Sequence, residues 1–227
     1  MNQIWTVAKN TFVEAIRDRV LYSIVVFAIL MMVSSLIVGS ISADQHNKIV
    51  KDFALAAISF FGIMLSVFLG TALVYKEIEK KTVYNIFSKP LHRYQFITGK
   101  YLGLSITVLI ITLSMFLTSI LLVLYIENKY KDVIEFYYKG HFYAEFIVAV
   151  YFQYLEFLIV IGIALVFSSF TTPVLSVLMT LLVFVVGRFS SDVRLFAEEI
   201  KNPFVSAISE GLYRVIPNLE KLNFRSS

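Results

Sequence analysis

The sequence predicts an all-α membrane protein: a polytopic helix bundle of five spans behind an N-terminal interfacial helix. Three observations predict it. Val20 to Ala43, Phe53 to Tyr75 and Tyr101 to Ile126 carry no charge, and Phe146 to Gly187 carries only Glu156. A membrane-crossing helix needs about 20 such residues at a rise of about 1.5 Å each. Next, apolar residues make up 58% of the 227 and charged residues 16%, with mean hydropathy +0.78; soluble domains carry ~25% charge. Finally, the runs do not alternate in ten-residue segments, as the strands of a membrane barrel do. In lipid each run must be helical, because no water is there to satisfy the backbone. The composition also excludes a disordered chain and argues against a soluble enzyme.

Along residues 1–19, Ile4, Trp5, Ala8, Phe12, Ala15 and Ile16 share one helical face. Gln3, Asn10, Glu14, Arg17 and Asp18 share the other. That pattern predicts an amphipathic helix in the membrane interface, with Trp5 at headgroup depth. The first span, 20–39, is read as a retained anchor. Its apolar core exceeds the ~7–15 residues of a signal peptide, and Glu14 and Asp18 precede it. The second and third spans are 53–75 and 101–126. The long run after Phe146 holds two spans, 146–167 and 173–189. Ser168-Ser169-Phe170-Thr171-Thr172-Pro173 is a polar turn between them, with Pro placed as a first helical residue. The last span is short, and Arg188 is expected to snorkel from its end. Residues 20–189 thus form the bundle, and 190–227 an outer-leaflet or extracytoplasmic helical segment.

The net charge is +4 and the pI near 9.1. The basic residues lie in short loops between apolar runs, so the expected acidic partner is the lipid headgroup, not a nucleic acid. Charge sets orientation weakly. The first span has Lys9, Arg17 and Arg19 on one side against Lys48 and Lys51 on the other, which favours a cytoplasmic N-terminus. Summed over all loops the bias runs slightly the other way.

The sequence carries few groups capable of chemistry. It has no Cys, no phosphate-cradling GxxxxGK[ST] loop, no HExxH and no GxSxG followed by a His. His46, His92 and His141 fall in three separate loops, so no metal site is expected. Glu156 lies near the middle of the fourth span, with Gln153 one turn before it on the same face. An acid there costs ~2.5–3.5 kcal/mol on insertion scales. Two readings stay open. Glu156 is a neutral group hydrogen-bonded to another helix, or it lines a translocation path with Gln153. Gly99 and Gly103 are a small-xxx-small pair able to bring helices close, but at a span's mouth a turn is the preferred reading.

Residues 76–100 read KEIEKKTVYNIFSKPLHRYQFITGK. Ile78, Thr82, Val83, Ile86 and Phe87 make an apolar helical stripe, with Lys76, Glu77, Lys80, Lys81 and Asn85 opposite. Ser88-Lys89-Pro90 stops the helix, since Pro lacks the N–H and restrains the residue before it. This predicts a short amphipathic helix at the membrane surface, either resting on headgroups or docking a soluble partner by helix-in-groove contact.

The run Leu69-Gly70-Thr71, Tyr75-Lys76-Glu77-Ile78-Glu79-Lys80-Lys81-Thr82, Ser88-Lys89-Pro90-Leu91-His92-Arg93, Phe96 and Gly99-Lys100 resembles the ABC type-2 permease family, in particular its multi-copper enzyme maturation subgroup. Ala8 to Phe12 and Ala15 to Arg19, Ser168 to Pro173, and Ile216-Pro217-Asn218-Leu219-Glu220 are similar to it as well. The resemblance covers nearly the whole chain and is most specific over Tyr75–Lys100. It implies a permease subunit in the cell membrane, not itself an enzyme, with the N-terminus and loop 76–100 in the cytoplasm. That loop would carry the coupling helix that docks a separate ATPase through Ile78, Thr82, Val83, Ile86, Phe87, Lys89 and Arg93. ATP and Mg would be bound by the partner ATPase and no cofactor by this chain; two permeases and two ATPases would form an exporter-type transporter. Family members carry a sixth span after short outer-leaflet helices. Ser190 to Glu220 could supply those helices, and the sixth span is expected to be absent from this chain. The rival readings are a membrane anchor or assembly subunit without transport activity, and a stand-alone intramembrane lipid-handling protein.

Overall fold

A computed structural model describes residues 2–41, 46–79, 92–129 and 139–188. These form six helices: α1 Asn2–Ile16, α2 Arg19–Ile41, α3 His46–Glu79, α4 Arg93–Lys129, α5 Lys139–Ser168 and α6 Pro173–Arg188. The protein is all-helical among the described residues, as the uncharged runs require. Helices α2 to α5 are long and apolar enough to cross a membrane. Helix α6, the fifth predicted span, has 16 residues, or about 24 Å, against a hydrocarbon thickness of about 30 Å.

The helices outrun the predicted spans at their polar ends. Helix α3 continues through Glu79 and α4 begins at Arg93, so both flanks of the predicted loop 76–100 are helical. Charge ends a stretch that lipid can cover, but it does not end a helix. His46 and His141 accordingly lie in the first turns of α3 and α5, not in loops. Two boundaries have local causes. Asp18 accepts a hydrogen bond from the Val20 N–H at 3.0 Å, capping α2. Thr172 C=O accepts from Ser176 N–H at 2.8 Å, and Pro173 follows as the first residue of α6.

Helix α3 is the most buried span, and it packs against every other helix. Its Gly62, Ser66 and Gly70 recur every fourth residue toward α5. A Cβ at Gly62 would run into the Phe157 ring, and one at Gly70 would lie 2.7 Å from Ala164 Cβ. Ser66 turns its Oγ back to its own helix, donating to Gly62 C=O at 2.8 Å, so the stripe is small and polar-satisfied. In lipid, close backbone approach of this kind drives association where apolar burial cannot. The outer surface is the reverse of a soluble protein's. Helix α6 buries Ser176, Thr180 and Gly187 while exposing Leu178, Leu182 and Val185. Leu113, Leu117 and Leu121 form a bare stripe on α4. A water-soluble bundle would turn these inward.

Gly99 and Gly103 correct the sequence reading. Both lie inside α4, not in a turn, and α1 lies across them. A Cβ at Gly99 would be 2.7 Å from Val7 Cβ, and one at Gly103 would be 2.5 Å from the Ala8 carbonyl oxygen. The buried stripe of α1 is Ala8, Thr11 and Ala15, while Trp5 is 63% exposed. The apolar face read from the sequence is therefore divided: its small residues meet protein and Trp5 faces away. Gly103→Leu is expected to lift α1 from α4 and destabilise the bundle by about 1–3 kcal/mol, the usual range for overpacking. Faster proteolysis within residues 2–16 and a lower melting temperature in detergent would report it; an unchanged melt would show that α1 is not seated on Gly103.

Candidate functional site

Helix α5 is apolar from Phe146 to Ser168 apart from a few groups, and those groups hold it to three neighbours. Gln153 donates its Nε2 to the Leu55 carbonyl of α3 at 3.2 Å. A carbonyl only accepts, so this bond fixes which end of the amide faces α3. Glu156 accepts at Oε1 from Arg188 Nη1 of α6 at 2.6 Å. Tyr154 donates to the Ser105 carbonyl of α4, and Tyr101 of α4 donates back to the Leu158 carbonyl, both at 3.4 Å. Near the start of α5, Glu145 pairs with Lys51 of α3 at 3.1 Å.

The Glu156–Arg188 pair lies several turns of helix away from the 169–172 turn that joins α5 to α6. Glu156 is roughly 18 Å along α5 from the turn at Ser168, and Arg188 is roughly 22 Å along α6 from Pro173. The two burials are unequal. The Glu156 side chain is 1% exposed and that of Arg188 is 23%. The pair uses one carboxylate oxygen and one guanidinium nitrogen. Among the described residues, Glu156 Oε2, Gln153 Oε1 and Ser176 Oγ are buried without a hydrogen-bond partner.

Several sequence expectations are settled by this geometry. Gln153 and Glu156 do sit one turn apart on the buried side of α5. Arg188 does not snorkel away; it turns to Glu156. The sequence reading left Glu156 either hydrogen-bonded to another helix or lining a path, and did not pair it with Arg188. Lys100, counted as a loop cation, is 1% exposed inside α4, with Nζ 5.2 Å from the Phe96 ring centre. The predicted docking residues fare differently. Ile78 lies in the last turn of α3, and Arg93 is the first residue of α4. Thr82, Val83, Ile86, Phe87 and Lys89 lie outside the described residues. Among the described residues, no three His, Asp or Glu side chains come together as a metal site.

Helix α3 meets α5 at Gly62–Phe157 and Gly70–Ala164, and α5 is tied to α6 through Glu156 and Arg188. Residues 5–208 match the family model described as ABC-2 family transporter protein. No curated protein matches the chain.

Proposed function

Because the chain belongs to the ABC-2 family of transporter proteins, and is thereby a membrane permease component of an ABC transporter, we propose that a separate ATP-hydrolysing subunit drives it by docking on residues 76–100. The family match over residues 5–208 is the observation that carries this reading. The fold supports it: α3 and α4, which flank residues 80–91, are packed together and reach α5 directly. A push on that end would move packed helices as rigid bodies, the usual form of such transitions. In this reading, Ile78, Thr82, Val83, Ile86 and Phe87 form the apolar face of the coupling helix, and Lys89 and Arg93 meet an acidic rim on the ATPase. ATP and Mg belong to that partner. A second permease, identical or homologous, completes the transporter, which works as an exporter of the multi-copper enzyme maturation type. Gln153 and Glu156 line the route of the cargo.

The test is isolation of the permease from its native membrane in mild detergent. A P-loop ATPase should co-purify, and hydrolysis should fall when the permease is depleted. A permease that purifies as a stable assembly with no ATPase would point to an anchor instead. The topology is checked separately. In this reading the N-terminus and residues 76–100 face the cytoplasm of a cell membrane and 127–145 face outward. The chain has no native Cys, so single cysteines report directly. An impermeant thiol reagent added outside intact cells should label Glu135→Cys and spare Asn85→Cys; the opposite pattern would invert the arrangement.

A further inference from the structure

We propose that Glu156 and Gln153 form a proton-binding site inside the bundle, with the proton on Glu156 Oε2 and donated to Gln153 Oε1. This goes beyond the transport reading and stands whether or not cargo passes here. The two side chains are one turn apart on α5, a spacing that brings side chains together at about 5–6 Å between Cβ atoms. Each is pinned at its other polar atom: Gln153 Nε2 on the Leu55 carbonyl, and Glu156 Oε1 on Arg188. What remains is two acceptor oxygens, both buried and neither facing a donor among the described residues. A buried acceptor without a donor is costly, and one proton between them satisfies both. No step beyond proton uptake from water is needed.

The surrounding charges allow it. Helix α5 packs against α3, α4 and α6. From Phe53 to Ala72, α3 has no titratable side chain; Lys51 and Asp52 stand before that stretch, and Lys51 is held by Glu145. Helix α4 brings Tyr101 and Tyr125, with Lys100 buried beside Phe96. Helix α5 itself adds Tyr143, Tyr151 and Tyr154, and α6 adds Arg188. Among the described residues, Arg188 is the cation bonded to the carboxyl, and it is the more exposed partner of the pair. Arg188 also sits in the last turn of α6, where the helix dipole places partial negative charge. A protonated Glu156 therefore leaves the Arg188 charge with compensation of its own. The tie between α5 and α6 is an ion pair when the proton is absent and a charge-assisted hydrogen bond when it is bound.

Infrared spectroscopy on the full chain in lipid nanodiscs tests this, using glutamate labelled with carbon-13 at the side-chain carboxyl. At pH 7 a protonated-carboxyl stretch should be present, absent from Glu156→Gln, and weakened at least severalfold in Gln153→Met. Glu156→Gln should melt like the parent, because its amide reproduces the same pattern: the carbonyl on Arg188, an N–H on Gln153 Oε1. No band from Glu156 at pH 7 would overturn the proposal and leave water as the donor to both oxygens. An unweakened band in Gln153→Met would overturn the shared site. Should Glu156→Gln fail to fold, Glu156→Asp supplies the assignment: the glutamate-labelled band must vanish in it.

Discussion

Replacing Glu156 by leucine is expected to destabilise the permease by about 2–3 kcal/mol, far more than loss of an average membrane hydrogen bond, about 0.6 kcal/mol. The difference is Arg188. With Glu156 gone, its guanidinium loses the acceptor 2.6 Å away and stays charged inside the bundle. A hydrogen bond to a charged group contributes about 1.5–3 kcal/mol, and Arg188 loses it whether Glu156 is ionised or protonated. The Arg188 side chain is 23% exposed and can relax outward, which keeps the effect within that range. Gln153 Oε1, buried on the same face, also loses the proton that Glu156 would donate to it. Unfolding in mixed detergent micelles measures the loss. Glu156→Leu combined with Arg188→Leu removes both partners and should recover most of it, a coupling that separates the pair from mere side-chain size. Equal losses in the single and double variants would show that Arg188 is not the partner that matters.

This pair also marks where the sequence becomes hard to read. Spans were legible because lipid imposes a length and a lack of charge, both visible in one pass along the chain. The turn before Pro173 is local, and local chemistry predicts it; the cap at Asp18 is local too, but reading residues 1–19 as one amphipathic helix passed over it. Helix ends were misjudged where charge and helix part company, as at Lys76 to Glu79 and from Arg93 to Lys100. Interhelical partners were not legible at all. Glu156 was visible as a mid-span acid, but nothing in its neighbours indicates Arg188, since the turn at 169–172 folds the partner back by a distance only the structure supplies. The same holds for Gly103. A glycine pair near a span's mouth fits a turn and a helix crossing equally well until α1 is seen lying on it. A signal was present in each case, a lone acid and a lone cation at two facing span depths, and a small residue every fourth position. Pairing them requires knowing which helices touch.

Changing Ile78 and Phe87 together to glutamate should release the ATPase from the membrane while leaving the permease folded. Two apolar positions on one helical stripe would then carry like charges, and each charge would have to be desolvated to enter a groove built for apolar side chains. Loss of even two anchor residues of this kind typically removes most of the affinity, since a few residues carry most of an interface's energy. The permease should tolerate the change for a structural reason. Ile78 lies in the last turn of α3, beyond the apolar span that ends near Ala72. The contacts that hold α3 to α5, at Gly62 and Gly70, are two or more turns away. Co-purification of ATPase with the permease should fall at least tenfold, with an unchanged melting temperature for the permease alone. Arg93→Glu, at the start of α4, should weaken the same association less, because an exposed charge pair is worth about 1 kcal/mol or below. Full retention of the ATPase, with undiminished hydrolysis, would place the docking surface elsewhere on the permease; a permease that unfolds with the double change would instead make Ile78 part of the bundle's own packing.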